Sequence, residues 1–416
     1  MIASIPIEFV LFGLTLVAVA VFDRHTLLAS LIGLVAIATY KILFVGFKTG
    51  PGVNGFLRHV GLEWVILVNL LCLLVGFALL SRHFEKSHVP ILVARFLPSG
   101  WKGGFTLLAL VWVLSSFLDN IAGALIGGAM AHQLYRAKVH IGFIAAIVAA
   151  SNAGGAWSVI GDTTTTMMWL AGVSPIVVFE CVVAAAVALF IFGIPAAIQQ
   201  ERYSPILKHP HAHTHADLAR IAIVAATLAS AIIVNMLINI KYPQLGDRFP
   251  FIGVAVWIVL LLSVPLRRPD WELVPRAFRG SLFLLALVIA ASMMPVEHLP
   301  QASWQTTLGL GFVSALFDNI PLTALALKQG GYDWGYLAFA VGFGGSILWF
   351  GSSAGVALCN LFPEARSVGL WLRHAWMIAI AYVIAFFLML AVVKWHPDTG
   401  VIGKIRNWKF LPAASS

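Results

Sequence analysis

The strongest constraint on the fold is a series of apolar stretches that follow one another along the 416-residue chain. About 20 consecutive apolar residues cross the hydrocarbon core of a bilayer as a helix. The stretches lack the strict alternation of membrane β-strands, and only helices or closed barrels satisfy their backbone groups in lipid. An all-α polytopic membrane protein is therefore predicted, with apolar runs at residues 5–22, 27–46, 62–81, 105–134, 140–172, 174–199, 217–240, 250–266, 280–294, 305–329, 334–360 and 366–394.

Composition agrees with this class and argues against several others. Only 10% of the residues are charged, against about 25% in soluble domains. The formal charge of +9 comes from basic residues scattered in short connections, so no nucleic-acid partner is expected.

Cys72, Cys181 and Cys359 lie in separate apolar stretches without pairing or metal-ligand spacing. Neither a cofactor nor an enzymatic activity is expected, because no nucleophile–base constellation or nucleotide motif is present. The run at 5–22 is interpreted as a first span, not as a signal peptide.

Two polar interruptions of the apolar runs occur twice, in the same order. The segment VLSSFLDNIAGALIGGAMA (113–131) resembles FVSALFDNIPLTALALKQG (312–330). The segment GGAWSVIGDTTT (154–165) resembles GGSILWFGSSAG (344–355). Because order and approximate spacing are both kept, the sequence indicates an internal duplication.

The number of crossings predicts how the two copies are oriented. If each Asp-Asn segment forms a re-entrant hairpin, an odd number of spans separates the hairpins, so they enter from opposite faces as an inverted repeat requires. We expect about 10–11 transmembrane helices plus two such hairpins and discontinuous helices. The positive-inside rule makes one face cytoplasmic. That face carries Arg82, Lys86, Arg95, Lys102, Arg136, Lys138, Arg202, Lys208, Arg267, Arg268, Arg276, Arg279 and Arg366.

The same pattern suggests how the chain is divided. The segments are N-terminal scaffold or dimerisation helices at 1–104, a first repeat core at 105–199, a His-rich cytoplasmic linker at 200–216, second-half scaffold helices at 217–304, a second repeat core at 305–394 and a C-terminal tail at 395–416. The linker places His209, His211, His213 and His215 at alternate positions, where metal binding or pH sensing is less favoured than a solvated flexible connection.

Three carboxylates within apolar runs are the main candidates for function. Asp119, Asp162 and Asp318 each occupy a position where a charge costs several kcal/mol, and such residues usually mark an ion or proton path. The alternative is that they only cap broken helices. Around Asp162, hydroxyls of Thr163 to Thr166 and carbonyls of an unwound helix are ligands that a small hard cation prefers. A helix restarting there would also suit an anion, so spacing leaves the sign of the substrate open. The glycines assigned to the helix breaks are Gly154, Gly155, Gly161, Gly344, Gly345 and Gly351.

The motifs resemble the NhaD-type sodium/proton antiporters of the ion transporter superfamily, which also holds arsenite permeases and sodium-coupled carboxylate carriers. The resemblance depends on SNAGGAWSVIGDTTTTMMW, LDNIAG, FDNIPLTALAL and GFGGSILWFGSSAGVA, whose order extends it over about 105–360. It departs at Val159, where proline is expected in close relatives. The resemblance implies a main ion site formed by Asp119, Asn120, Ser151, Asn152, Asp162 and Thr164, with Thr163 next to it in sequence. Asp318, Asn319, Ser352 and Ser353 are expected to face this site from the second copy. Asp119 and Asp162 are the expected Na⁺ ligands.

The resemblance also implies a function and an assembly. The expected activity is exchange of Na⁺ or Li⁺ for H⁺ by alternating access in the inner membrane of a cell, by a homodimer with a moving transport domain. The alternative is a coupled carrier of a small carboxylate or of arsenite, and a non-transporting membrane scaffold is a third, weaker possibility. Carboxylate carriers usually have Ser-Asn-Thr where this chain has Asp-Asn-Ile, which argues against an anionic substrate.

Some other charged residues are expected to have structural roles only. Lys41 and Glu63 lie near the ends of apolar runs and are expected to reach the lipid headgroups. Lys328 and Arg220 are the candidate cations nearest the core, and both are expected to extend from span ends to the interface. For Glu180, within VVFECVV, a polar contact between helices is favoured over a functional role.

Overall fold

The computed structural model describes residues 6–22, 25–89, 92, 97–206, 215–242, 245 and 248–397. Helices and their connections account for this part of the chain, and no strand is found in it. Six helices among the described residues are long and apolar enough to cross a membrane, and shorter apolar helices accompany them. The chain is a polytopic α-helical membrane protein, as its apolar runs predict.

The helices are numbered here in chain order. They are α1 (Ile7–Val21), α2 (Thr26–Tyr40), α3 (Gly52–Glu85), α4 (Trp101–Ser115), α5 (Asn120–Leu134), α6 (Ile141–Ala156), α7 (Thr163–Leu170), α8 (Pro175–Phe179), α9 (Val182–Tyr203), α10 (Leu218–Lys241), α11 (Phe251–Leu262), α12 (Val274–Ser292), α13 (Trp304–Ser314), α14 (Asn319–Gln329), α15 (Trp334–Gly344), α16 (Ser353–Leu361) and α17 (Val368–Val392).

Helix α3 differs most from its apolar run. It has 34 residues and begins at Gly52, ten residues before the run at 62–81. The polar residues Arg58 and His59 lower the hydropathy of its first turns, so hydropathy alone places the start too late. The predicted linker also starts later than expected, because α9 continues to Tyr203. His209, His211 and His213 lie outside the described residues.

The two apolar runs interrupted by Gly-Gly segments each divide into a pair of half-helices. In the run at 140–172, α6 ends at Ala156 and α7 begins at Thr163. In the run at 334–360, α15 ends at Gly344 and α16 begins at Ser353. The chain therefore leaves helical geometry at corresponding places in the two similar segments.

The broken helices lie at the centre of the molecule. Every residue of α15 is buried, as is every residue of α6 from Gly142 onwards. The largest buried apolar cluster joins α6 to α4, α5 and α9, and to α15 and α17 of the second half. The alanines of α6, such as Ala145 and Ala149, let neighbouring helices approach closely. A second cluster joins α2, α7, α12 and α14, and a third joins α3, α10 and α11.

Ion pairs join the connections at one end of the bundle, where the basic loops were predicted. Asp270 binds Lys86 at 2.7 Å and Arg82 at 3.2 Å, which ties the α11–α12 connection to the end of α3. Asp217 binds Arg267 at 2.8 Å at the start of α10. The hydrogen bond from Lys86 lowers the pKa of Asp270, and the hydrogen bond from Arg267 lowers the pKa of Asp217.

Candidate ion-binding site

Asp162 lies in the break between α6 and α7 and is 3% exposed. It is the N-cap residue of α7, with Oδ1 within 3.5 Å of the Thr164 amide. Its Oδ2 accepts a hydrogen bond from the Thr164 hydroxyl at 3.0 Å and from the Asn319 amide at 3.1 Å. These donors are all neutral, so the carboxylate is buried without a compensating positive charge.

The two Asp-Asn segments form turns of the same shape. Asp119 is the N-cap residue of α5 with φ −54° and ψ 142°, and Asp318 is the N-cap residue of α14 with φ −55° and ψ 142°. Both are half-buried. Asp318 accepts from the Ile320 amide at 3.1 Å and from the Ser353 hydroxyl at 2.8 Å. The Asp119 carboxylate interacts with the backbone amides of Asn120 and Ile121 at the start of α5.

Asparagine side chains connect the two halves of the molecule. Asn152, which is fully buried on α6, donates to the hydroxyls of Ser346 at 2.9 Å and Ser352 at 3.0 Å in the second break. Asn120 donates to the side-chain oxygen of Asn152 at 3.3 Å. These contacts link the first turn to the second break, and the Asn319–Asp162 hydrogen bond links the second turn to the first break.

Two serines fix the first turn against α6. The Ser151 hydroxyl donates to the backbone carbonyl of Asn120, and its oxygen lies 3.1 Å from that of Ser115. Ser115, Ser151 and Asn152 are less than 1% exposed. The hydroxyls therefore hold the α4–α5 turn in place beside Asp162, and they carry no charge into the site.

The four threonines divide into two pairs with different environments. Thr165 donates to the carbonyls of Ser158 and Asp162 at 2.6 and 2.9 Å. Thr166 donates to the carbonyls of Val159 and Asp162 at 3.0 and 2.9 Å. This pair bonds back to the preceding turn, which was the structural alternative for one or two of the threonines. Thr163 is buried beside the break, and Thr164 contacts the Asp162 carboxylate directly.

The predicted helix-break glycines are required by close approach of the backbone. A Cβ at Gly154 would lie 2.1 Å from the Trp112 carbonyl oxygen, and one at Gly161 would lie 2.4 Å from the Ser115 carbonyl oxygen. In the second half, a Cβ at Gly344 would lie 2.3 Å from the Gly311 oxygen and one at Gly351 2.6 Å from the Ala315 oxygen. Gly155 and Gly345 similarly face the carbonyls of Gly161 and Gly351, at 2.6 and 2.7 Å.

Three carboxylates act on one another electrostatically at this site. The charge of Asp162 acts on Asp119, and the charge of Asp318 acts on Asp162. Salt bridges found among the described residues involve other carboxylates. Acids gathered in this way, without a salt-bridge partner in the described part of the chain, favour bound protons or cations, because an uncompensated buried charge is very costly.

Sequence reasoning placed Ser346 in a neutral polar wall facing Asp318, but it missed Ser115 and misplaced two charged residues. Ser115 was not assigned to the site, although a serine precedes each Asp-Asn turn at matching positions, Ser115 and Ser314. Lys41 and Glu63 were expected to reach the headgroups, and that expectation is wrong. Lys41 is 8% and Glu63 7% exposed, and both lie against an internal cavity.

Comparison with known proteins gives several relatives that are named sodium/proton antiporters. No family model matches the chain. It is 26% identical over 392 residues to the Na(+)/H(+) antiporter NhaD of Alkalimonas amylolytica, covering 81% of this chain and 78% of that protein. It is 25% identical over 356 residues to the antiporter of the same name from Vibrio parahaemolyticus, covering 73% and 84%. It is 26% identical to sodium/proton antiporter 1 of Arabidopsis thaliana over 303 residues, covering 63% of this chain and half of that protein's length.

These comparisons confirm the resemblance to NhaD-type sodium/proton antiporters that the motifs predicted. The fold and the buried acidic site define an integral membrane protein with a polar centre between two broken helices.

Proposed function

We propose that the chain exchanges Na⁺ or Li⁺ for H⁺ across a cell's inner membrane by alternating access. The observation that carries the proposal is Asp162, a carboxylate 3% exposed whose partners Thr164 and Asn319 are neutral. A buried acid of this kind favours occupation by either a proton or a cation. If the site must hold one of the two in order to cross the membrane, transport becomes an exchange.

The proposed ion site contains Asp119, Asp162 and Asp318 as its charged groups. Neutral oxygens from Thr163, Thr164, Asn120, Ser151, Asn152, Asn319, Ser352 and Ser353 complete the set. The mixture of carboxylate, hydroxyl and amide oxygens suits a small hard cation. The negative charges of the acids repel one another. Binding of one proton or one cation removes part of this repulsion, so the site favours uptake of one positive charge.

The proposal includes two re-entrant hairpins in an inverted repeat. The α4–α5 pair and the α13–α14 pair each turn at a half-buried aspartate followed by a buried asparagine. The base of the first pair leads into α6 near His140, whose ring lies 5.3 Å from that of Tyr203. The base of the second pair lies near the end of α12, where Lys328 contacts Ser292. Tyr203 ends α9 and Ser292 ends α12, so the two ends lie at opposite faces if α10, α11 and α12 each cross the membrane once.

A carrier of small anions is less well supported. Its substrate would need the free N–H groups at the helix N-termini beside the breaks. Asp162 is aimed at the Thr164 amide, and Ser352 accepts from the Gly355 amide at 3.2 Å. Asp318 likewise accepts from the Ile320 amide. Protein side chains already use these donors, and a negative carboxylate stands where the anion would bind.

The proposal is tested by proton flux in proteoliposomes that carry an imposed pH gradient. Addition of Na⁺ or Li⁺ should dissipate the gradient, whereas K⁺, citrate or arsenite should not. The Asp162→Asn variant should lower Na⁺-dependent flux by at least about 100-fold, since it removes the group that holds either ion. The Asp270→Asn variant, at the far end of the bundle, provides the matched control and should retain the flux.

Two outcomes would contradict the proposal. One is gradient dissipation driven by citrate or arsenite but not by Na⁺ or Li⁺. The other is unchanged exchange in Asp162→Asn. The homodimer expected from the resemblance is also a proposal, and cross-linking in native membranes would test it separately.

A further inference from the structure

A cavity of about 590 Å³ lies beside the proposed ion site, between the scaffold helices and the second hairpin. Its walls come from α3 and α12 on the scaffold side and from α7 and α14 on the core side. The two core helices are those that begin at Thr163 and Asn319, directly after the break and the Asp-Asn turn. The cavity therefore touches one half-helix of the first break and the helix that follows the second Asp-Asn turn.

The cavity extends from an exposed surface to within a short distance of that site. At its mouth Lys48 pairs with Glu297 at 2.8 Å, and their side chains are 46% and 52% exposed. At its inner end it is lined by Met167 and Ala324. These residues are four and five positions beyond Thr163 and Asn319, which corresponds to about 6 and 7.5 Å along the helices.

The walls of the cavity carry buried charged groups on the scaffold. Glu63 and His59 lie on α3, are 7% and 6% exposed, and approach each other to 3.5 Å. His59 also lies 3.0 Å from the Ser292 hydroxyl. Glu8 and Lys41, which are 5% and 8% exposed, line the same space. Buried ionisable residues on a membrane scaffold are costly and usually line water-filled paths.

The second hairpin contributes one cation to this space. Lys328, near the end of α14, donates to the backbone carbonyls of Ser292 and Met294 at the end of α12. Its charge acts on Glu63, and both side chains reach Ser292. Lys328 thus occupies backbone acceptors at a helix C-terminus, and the Glu63 carboxylate lies beside the same helix end.

We propose that this cavity is the vestibule through which the transported cation reaches Asp162 from the face opposite the basic loops, and that Glu63 and Lys328 set its potential with opposite signs. This inference depends on the proposed function. In a narrow, low-dielectric passage a single wall charge changes the local concentration of a passing cation. Glu63 raises the cation concentration near the inner end, and Lys328 lowers it.

The first test measures the apparent KM for Na⁺ of exchange in two charge-removing variants. Glu63→Gln should raise KM and Lys328→Gln should lower it, each by about 3- to 10-fold, with larger effects at low ionic strength. Lys328→Arg keeps the charge and should retain the wild-type KM. Glu180→Gln, a matched substitution outside the cavity, should leave KM unchanged. A purely structural role would instead move both variants in the same direction, and that result would overturn the inference.

The second test measures access without measuring transport. Ala171→Cys places a thiol on the cavity wall, in a chain with Cys72, Cys181 and Cys359 replaced by alanine. A membrane-impermeant cationic thiol reagent added to intact cells should modify it, and Glu63→Gln should slow the reaction. Exchange without modification would overturn the vestibule and leave the proposed function standing. Modification without Na⁺-dependent exchange would overturn the proposed function.

Discussion

The two halves of the molecule share a backbone but differ in charge. At the second break Ser352 has φ −142° and ψ 151°, and at the first break Asp162 has φ −142° and ψ 148°. Both residues are N-caps of the following half-helix. Asp162 at the first break carries a carboxylate, and Ser352 at the second break carries a hydroxyl. The duplicated frame therefore supplies the geometry twice, while the charge that would bind an ion is present at the first break alone.

The hydrogen bonds around the two N-cap residues, Asp162 and Ser352, also differ between the halves. Asn319 from the second half donates directly to Asp162. Its counterpart Asn120 does not reach Ser352 directly but donates to Asn152, which in turn donates to Ser352. The Asp162 carboxylate extends further from the backbone and offers more acceptor sites than the Ser352 hydroxyl, and at the second break the Asn152 amide completes the connection. The comparison suggests that the second break has a structural role and that the first break carries the charged group of the proposed ion site.

The largest expected effect tests the shared backbone. Gly161→Ala would place a methyl group 2.4 Å from a carbonyl oxygen, and Gly351→Ala would place one 2.6 Å from a carbonyl oxygen. Since the neighbour is backbone in both cases, each substitution should destabilise the fold by about 3 kcal/mol or more. The measurement is the yield of monodisperse protein after size-exclusion chromatography.

The matched control for the glycines is Gly280→Ala on α12. A Cβ at this position meets nothing within 4 Å, so stability should stay equal or rise slightly. A large loss of stability in Gly161→Ala, combined with no loss of stability in Gly351→Ala, would show that the two breaks are not packed in the same way.

The next effect tests the asymmetry of the asparagines. Asn319→Ala removes a hydrogen bond to a charged group, a contribution of about 1.5–3 kcal/mol. Because that donor favours the charged carboxylate over the protonated one, the apparent KM for Na⁺ should rise about tenfold. Asn120→Ala, which acts through Asn152, should change KM less than about threefold. Equal effects of the two substitutions would remove the distinction between the halves.

The smallest effect separates the threonines that maintain the break from those at the site. Thr165→Val removes hydrogen bonds to two carbonyls and should cost about 1 kcal/mol of stability, with an unchanged KM for Na⁺. Thr164→Val should raise KM, since its hydroxyl contacts Asp162. Thermal unfolding and sodium titration of both variants would decide this, and a raised KM in Thr165→Val would contradict the division.

Much of this organisation was predictable because it depends on local pattern. The apolar runs predicted the helices, and the repeated Asp-Asn and Gly-Gly segments marked the turns and breaks. The cross-half contacts of Asn152 and Asn319 could not be predicted, because they join residues far apart in sequence whose spacing carries no periodic signal. Glu63 was misplaced for a related reason. Hydropathy locates a residue along a span, but burial against a cavity depends on the neighbouring helices α12 and α14.

The most direct test of the account is proton release on Na⁺ binding, measured with purified protein in weakly buffered detergent solution. Wild type should release protons when Na⁺ is added, because both ions compete for the same carboxylates. Asp162→Asn should release none, whereas Ser352→Ala, the equivalent change at the neutral break, should still release them. Proton release from Asp162→Asn equal to that of wild type would contradict the central claim that Asp162 is where cation and proton exchange.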